Sequence, residues 1–181
     1  MAGKAQSVVF DQASRPFALY LHWPFCRAKC PYCDFNSHVS NDVDSKIFGD
    51  ALCTEMTHMA SLMPSRPPLS SLFFGGGTPS LMPPILVERL IRHAEDLFGF
   101  TGDIEITAEA NPTSVEADAM LGFQKAGVNR VSMGVQSLDD ASLKFLGREH
   151  SAADALHALD KVKKAFDRVS IDLIYALPDQ S

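Results

Sequence analysis

The stretch Phe17-Ala18-Leu19-Tyr20-Leu21, followed by Cys26-Arg27-Ala28-Lys29-Cys30-Pro31-Tyr32-Cys33, places three thiols in one short loop after an apolar run. A short apolar run of this kind predicts a buried strand, so the loop follows the carboxyl end of that strand. Three thiolates can hold a metal centre, and no fourth ligand occurs at matching spacing. Such a centre keeps one coordination position open, which is where its chemistry takes place.

Bulk composition describes an ordinary globular chain. It has 181 residues, of which 46% are hydrophobic and 21% charged, with a formal net charge of −6, and this is enough to bury a core. No segment approaches the ~20 apolar residues of a membrane span, and residues 1–15 lack an apolar signal core, so we predict a cytoplasmic location. The acidic balance, without a Lys/Arg cluster, argues against nucleic-acid binding. Cytosolic cysteines are more often metal-bound or reduced than disulfide-bonded.

Outward from the cysteine loop, short β-rich runs alternate with helical patterns. Strands are predicted at 17–21, 69–74, 103–108, 130–135 and 170–175, and helices at about 42–63, 83–98, 115–125, 140–146 and 152–165. Strands separated by helices form a parallel sheet with right-handed crossovers. Five strands cannot close an eight-stranded barrel, which needs ~250 residues. We therefore expect this chain to be a fragment of a longer protein.

Chemically distinctive groups follow directly after four of these strands. They are Cys26, the run Gly75–Thr78, Glu109 and Gln136. Parallel α/β folds bind ligands at the carboxyl ends of their strands. The order of the sequence therefore predicts one shared site.

The cysteine loop is compatible with two kinds of metal centre. In a 4Fe–4S cluster, Cys26, Cys30 and Cys33 would hold three irons and leave one free for a small molecule. In a Cys₃His zinc site, His22 or His38 would be the fourth ligand, although the spacing is irregular for zinc. Reduced cysteines in a turn are a third possibility, and the spacing alone leaves these alternatives open.

A glycine run, Gly75-Gly76-Gly77-Thr78-Pro79, follows the second predicted strand. Glycines permit positive φ and let backbone N–H groups approach a ligand closely, although in isolation a tight turn explains them equally well. No Gly-Lys-Ser/Thr follows, and Ser80 stands where G-x-G-x-x-G would have its last glycine. Nucleoside triphosphates and NAD are therefore poorly supported.

Two carboxylates and one further cysteine complete the candidates. Asp172 lies among apolar residues of the fifth predicted strand, where burial would be costly unless it is paired with an arginine or bound to a ligand. Glu109 ends the third strand and could be a binding group or a solvated loop acid. Cys53, in the middle of a predicted helix, is typical of a small core residue rather than a ligand.

Taken together, C-x₃-C-x₂-C after the first strand and Gly-Gly-Gly-Thr-Pro after the second resemble the radical S-adenosylmethionine (SAM) superfamily. The resemblance implies an α/β fold, a partial (β/α)₆ barrel with a parallel sheet truncated after its fifth strand. It implies a leader over residues 1–16 and a radical SAM core domain over residues 17–181. It further implies a 4Fe–4S cluster on Cys26, Cys30 and Cys33, and exchangeable SAM on the open iron.

A closer resemblance is to the coproporphyrinogen III oxidase-like branch of that superfamily. It rests on Tyr20–Cys26, which is similar to Y-x-H-[IVW]-P-F-C, on Glu109–Pro112, on Val131–Gln136 and on Ile171–Pro178. By position in these motifs, the residues implied to line the SAM region are Tyr20, Tyr32, Gly76, Gly77, Thr78, Glu109, Gln136, Arg148 and Asp172. No catalytic residue is assigned.

Two functions compete within the branch. The oxygen-independent coproporphyrinogen III oxidases, which carry out a radical oxidative decarboxylation, have a further cysteine two positions after the third ligand and a longer N-terminal extension. Here Cys33 is followed by Asp34-Phe35-Asn36-Ser37, which resembles the HemW-type heme chaperones. We favour the chaperone, with the oxidase as the alternative and a non-catalytic zinc-binding module as the second.

The chaperone resemblance also implies cofactors and partners. Heme would bind at a site outside this chain, and the partners would be heme or porphyrin, a heme-acceptor protein that can be membrane-associated, and a reductant protein such as flavodoxin or ferredoxin. In the superfamily, an electron from the cluster cleaves the S–C5′ bond of SAM. In the chaperone, cleavage of SAM stays open.

Overall fold

The computed structural model describes residues 16–40, 42–178 and 180. The strands are β1 (Ala18–Trp23), β2 (Phe25–Cys26), β3 (His38–Val39), β4 (Leu69–Gly76), β5 (Phe100–Ala110), β6 (Arg130–Gln136) and β7 (Arg168–Leu173). The helices are α1 (Ser45–Leu62), α2 (Pro84–Phe98), α3 (Ser114–Ala126), α4 (Asp140–Phe145) and α5 (Ala152–Lys163). Five strands form a parallel sheet in the order β1-β4-β5-β6-β7, and β2 pairs with β3 in a small separate ribbon.

Local sequence explains where the helices begin and end. Thr113 caps α3 by accepting a hydrogen bond from the backbone of Glu116, and Gly127 ends it in the left-handed conformation, as expected for an N-cap threonine and a C-terminal glycine. In α2, proline occupies the first turn and Gly99, at φ +68°, ends the helix. These termini set the short loops that return the chain to the sheet.

The two faces of the sheet differ in polarity. On the helix-covered face, Leu72, Phe74, Val131 and Met133 are fully buried. Because side chains alternate along a strand, the opposite face carries Phe73 and Ser132, which lie between them, and their polar partners in register, Thr107 and Ser170. The candidate groups lie at the carboxyl ends of these strands.

The predicted architecture is confirmed, since each of the five predicted strands is a strand of the parallel sheet. Two small elements were not predicted: the β2–β3 ribbon and the 3₁₀ turn Pro79–Leu81. A strand of two residues is too short to show a hydrophobic period. Strand β7, which is the last of the five predicted strands, begins at Arg168, two residues before its predicted start at Ser170.

Asp172, in strand β7, is exposed, although we expected it to be buried. This strand lies at the edge of the sheet as described and pairs only with β6, so the Asp172 side chain is exposed. Arg130, an arginine of the neighbouring strand β6, forms an ion pair with Glu105 at 3.0 Å. Asp172 accepts from the Ser132 hydroxyl at 3.3 Å. The apolar neighbours Ile171 and Leu173 are themselves exposed, because nothing described covers this edge.

Cys53 lies in the hydrophobic core, as predicted, where it is buried in α1. None of the helices in the described part of the chain is long and apolar enough to cross a membrane. The predicted leader lies almost entirely outside the described residues.

Candidate cofactor site

A cleft opens at the carboxyl ends of the strands of the main sheet. Every predicted site residue except Tyr20 lines it: Cys26, Cys30, Tyr32, Cys33, Gly76, Gly77, Thr78, Glu109, Gln136, Arg148 and Asp172. Tyr20 lies beside the cleft, where its ring stacks on Phe73 with a centroid separation of 5.9 Å. The fold thus brings together residues that are up to about 150 positions apart in sequence, as parallel α/β topology predicts.

The β2–β3 ribbon anchors the cysteine loop at both of its ends. His38 N donates to Pro24 O at 2.7 Å, and Ser40 N donates to Cys26 O at 3.1 Å. Within the loop, a turn is closed by Cys33 N donating to Cys30 O at 3.0 Å. The loop therefore has a defined path that holds its three thiols towards the cleft.

An aromatic cluster supports the start of this loop. Trp23, Phe25 and Phe48 pack edge-to-face, with ring centroids 5.1 to 5.3 Å apart. Aromatic pairs in this geometry add about 0.5–1.5 kcal/mol beyond their area burial. The cluster ties the loop to α1, so the base of the loop is a rigid part of the core.

The surroundings of His22 and His38 do not support either residue as a zinc ligand. His22 Nε2 lies 2.9 Å from Asn36 O, to which it donates, and its Nδ1 lies 3.3 Å from the Tyr20 hydroxyl. Both of its ring nitrogens are thus committed within the protein, while His38 is exposed on β3. In residues 16–40, 42–178 and 180, no three His, Cys, Asp or Glu side chains converge on a point that could hold one metal ion.

Zinc and iron–sulfur centres place different demands on three cysteines. A zinc ion needs all of its sulfur ligands at about 2.3 Å from one centre. An iron–sulfur cluster takes each thiolate on a different iron, so its ligands lie further apart around a shared cleft.

The glycine run has no room for side chains. A Cβ at Gly77 would lie 2.7 Å from Phe25 O and 2.9 Å from Cys26 Sγ, and Gly76 has a φ of +118°. Gly77 N donates to Trp23 O at 2.7 Å, and Thr78 N donates to Phe25 O at 2.9 Å. The run therefore packs its bare backbone against the cysteine loop and the cleft, which explains the glycines better than a tight turn alone.

Strained backbone marks the end of β6. Gln136 is not glycine, yet it has a φ of +67°. A non-glycine residue in this region costs on the order of 1–3 kcal/mol and is enriched at binding sites. Its carbonyl accepts from Ile174 N at 2.9 Å, which fixes the turn beside the cleft.

Sequence patterns did not single out two residues that the structure connects to the site. Asn111 lines the cleft, and Glu116 is buried behind it. Asn111 belongs to the stretch Glu109–Pro112, but its role depends on a partner that lies on another element. The T-x-x-E spacing of Thr113 and Glu116 was the available signal, since it is typical of a helix start.

Comparison with known proteins settles the family. The sequence profile of the radical SAM superfamily matches residues 20–181. The chain belongs to the radical SAM superfamily.

Relatives of this radical SAM chain include mouse and bacterial proteins. It is 43% identical over 171 residues to the mouse "Radical S-adenosyl methionine domain-containing protein 1, mitochondrial", covering 94% of this chain and 38% of the relative. It is 40% identical over 168 residues to "Heme chaperone HemW" of Escherichia coli, covering 92% and 44%. The chain thus spans less than half the length of these relatives.

A solved structure shares the fold. The coproporphyrinogen III oxidase HemN of Escherichia coli, described as a radical SAM enzyme, aligns with a TM-score of 0.81 and 34% identity, over 93% of this chain and 39% of that one. The match supports the five-stranded parallel sheet as part of a radical SAM fold.

Glu109 is a partly buried carboxylate of this cleft. Its Oε2 accepts from Gly76 N at 3.2 Å. Burial raises the pKa of Glu109 above its ordinary value, the nearby Asp172 carboxylate raises it further, and the Gly76 hydrogen bond opposes the shift. Burial, and then Glu109, also raise the pKa of Tyr20. Two carboxylates, Glu109 and Asp172, thus face a cleft that Lys29 and Arg148 also line.

We expect the Glu109→Gln variant, without cofactors, to be more stable than the wild type at pH 7. A carboxyl with a raised folded pKa binds more protons when folded than when unfolded, so wild-type stability falls as pH rises through that pKa. Glutamine avoids this loss and keeps an acceptor for Gly76 N. Urea unfolding at acidic and neutral pH measures the difference, which should shrink on acidification. A variant that is less stable at pH 7, or a difference that is independent of pH, contradicts the prediction.

Proposed function

We propose that this chain is the cluster- and SAM-binding part of a HemW-like heme chaperone. In the proposal, Cys26, Cys30 and Cys33 hold a 4Fe–4S cluster whose fourth iron takes SAM, and the protein delivers heme to an acceptor. One observation carries it: the three thiols share a single cleft with the bare glycine backbone and with Glu109. The donor set fits, since thiolates are the ligands of iron–sulfur clusters.

The residues of the cleft have separate tasks in this proposal. Gly76 and Gly77 line the cleft and pack their bare backbone against the cysteine loop, and in the proposal this backbone meets the methionine part of SAM. Glu109 and Asp172 are acceptors for ammonium or ribose groups, and Tyr32 packs on the adenine. Thr78, Gln136, Arg148 and Tyr20 complete the surroundings. A bound and reduced cluster would supply the electron for any cleavage of SAM, which stays open in the chaperone, and the protein supplies binding and orientation.

Chaperone and oxidase differ at the end of the cysteine loop. Phe35, which stands where the oxidases carry a further cysteine, lines the cleft and is 58% exposed. A thiol is therefore replaced by an apolar ring at the mouth of the site. The 40% identity to HemW supports the same assignment.

An oxygen-independent coproporphyrinogen III oxidase is the second candidate, and the structural likeness to HemN favours it. Under this alternative the radical chemistry would act on a porphyrinogen. The same cysteines and SAM-region residues would serve both functions. Phe35 is the difference within this cleft, and a direct assay is required to separate the two.

Heme titration and substrate turnover separate the two functions in the full-length protein. We expect about one heme to bind per chain, followed by absorbance in the Soret region, and no decarboxylation of coproporphyrinogen III when cluster, SAM and reductant are supplied. Escherichia coli HemN, assayed in parallel, provides the positive control. Turnover of coproporphyrinogen III, or no heme binding, contradicts the chaperone proposal.

Partners and location follow from the same proposal. A heme-acceptor protein, which can be membrane-associated, and a reductant such as flavodoxin or ferredoxin would bind the complete protein. Cytoplasmic location stays a prediction, because the mouse relative carries "mitochondrial" in its name.

A further inference from the structure

Glu116 is a buried carboxylate beside the cofactor cleft. It lies in the first turn of α3 and is only 5% exposed. Its Oε2 accepts from Asn111 N at 2.7 Å and from the Ser80 hydroxyl, and its Oε1 accepts from Asn111 Nδ2 at 3.3 Å. No lysine, arginine or histidine in the described ranges forms an ion pair with it. Hydrogen-bond donors alone satisfy this buried group, as burial requires.

Local helix capping does not explain these contacts. Thr113 Oγ1 accepts from Glu116 N at 3.3 Å, which is half of a capping box. In the complete motif the Glu116 carboxylate would turn back to Thr113 N. Here it accepts instead from Asn111, which lines the cleft. The carboxylate is therefore used to hold a residue of the site.

Glu116 and Arg148 lie on either side of the Asn111 side chain. Together they fix the orientation of its amide. A carboxylate only accepts hydrogen bonds, so it requires the Asn111 NH₂ group. An arginine only donates, so it requires the carbonyl oxygen. Asn111 meets both demands, because its Oδ1 accepts from Arg148 Nη2 at 2.6 Å.

Arg148 connects Asn111 to Cys30, which is a predicted cluster ligand. Its Nη1 donates to Cys30 Sγ at 3.3 Å, while its Nη2 also donates to Gly134 O at 2.9 Å. Hydrogen bonds to ligand sulfurs are among the factors that set the reduction potential of iron–sulfur clusters. A charged donor has a stronger effect than a neutral one.

We propose that Glu116 and Asn111 are positioning residues that hold the Arg148 guanidinium on the sulfur of Cys30 and thereby raise the reduction potential of the cluster. The proposal rests on the proposed function, in which Cys30 is a cluster ligand. Reduction adds negative charge to the cluster, and a guanidinium donor on its ligand sulfur stabilises that form. Asn111 alone could present either end of its amide, so the buried carboxylate of Glu116 sets which end Arg148 meets.

Glu116→Gln is a nearly isosteric change that tests the hydrogen bonds from Glu116 through Asn111 to Arg148. The new NH₂ group would face Asn111 Nδ2, and the Asn111 amide relieves the conflict by flipping, which turns its own NH₂ towards Arg148. We expect the equilibrium constant for one-electron reduction to fall about tenfold, a midpoint potential about 59 mV lower. Redox titration of the reconstituted full-length protein without SAM, followed by visible absorbance, measures the shift.

A double-mutant comparison separates positioning from a general structural role. In an Arg148→Gln background, Glu116→Gln should cause no further shift, because the guanidinium on Cys30 is already absent. Asn129→Ala is the matched control. Asn129 also bonds backbone through its amide, to Ile104 and Ile106, but it precedes β6 at the end opposite to the cleft. It should keep the wild-type potential.

Each outcome decides the proposal. An intact cluster with wild-type potential in Glu116→Gln overturns it, as does an equal shift in the Arg148→Gln background. If Glu116→Gln does not fold, Asn111→Ala removes the acceptor for Arg148 and should give the same shift, and the wild-type potential in that variant overturns the proposal. A wild-type protein that binds no cluster contradicts the proposed function instead.

Discussion

Replacing Cys26, Cys30 or Cys33 by alanine should leave the anaerobically reconstituted protein without a stable iron–sulfur cluster. The wild type should bind about four iron and four sulfide per chain, and each single variant should lose most of both. Each thiolate holds a separate iron, and a loop with two thiolates leaves two corners of the cube without a protein ligand. Iron and sulfide analysis, together with the visible absorbance of the cluster, measures the loss.

Cys53→Ala is the matched control for these variants. Cys53 is buried in α1 as part of the hydrophobic core and does not line the cofactor cleft. Its replacement removes one sulfur from the core, so we expect some loss of stability and full cluster content. Loss of the cluster in Cys53→Ala, or full cluster content in any of the three loop variants, contradicts the assignment of the ligands.

We expect Gly77→Ala to weaken SAM binding at least tenfold, about 1.4 kcal/mol of binding free energy. The added Cβ would lie 2.7 Å from Phe25 O and 2.9 Å from Cys26 Sγ. The first of these atoms is backbone and the second is a predicted cluster ligand, so neither can move without displacing the loop. Cluster content should therefore fall as well, and SAM affinity is expressed per cluster. Isothermal titration calorimetry under anaerobic conditions measures it.

Gly102→Ala makes the same chemical change where there is space. A Cβ at Gly102 would have nothing within 4 Å, and Gly102 lies in β5 without a positive φ. We expect wild-type cluster content and SAM affinity for this control. Wild-type SAM affinity in Gly77→Ala would instead show that the glycine backbone is not required for SAM.

The main sheet could be predicted from sequence because its strands are short β-rich runs separated by helical patterns. The same pattern predicted that Cys26, Gly75–Thr78, Glu109 and Gln136 lie together, since the residue after each strand lies at the carboxyl edge of a parallel sheet. This is why Cys26, Gly76 and Glu109 share a cleft although they lie far apart in the chain. The prediction needed only the order of elements, not their packing. The other site residues, Tyr20, Tyr32, Arg148 and Asp172, came from the family resemblance.

Tertiary contacts decided the features that the sequence missed. Asp172 was expected to be buried because its neighbours are apolar, but burial depends on what covers the strand, and β7 is at an edge of the sheet in the described residues. Asn111 and Glu116 matter through their contacts with Arg148 and Ser80, which come from other elements. The β2–β3 ribbon is too short for any periodic signal. Sequence patterns therefore predict the face on which a residue lies. They do not predict as well which residue of another element it contacts.

The central claim is that three cysteines of the loop hold a cluster with one iron open to SAM. Mössbauer spectroscopy of ⁵⁷Fe-reconstituted protein, recorded with and without SAM, tests it most directly. We predict a 4Fe–4S cluster in which one iron site changes its spectrum when SAM is added while the other three stay the same. A protein without such a cluster, or a cluster whose four sites are all unchanged by SAM, would contradict the claim.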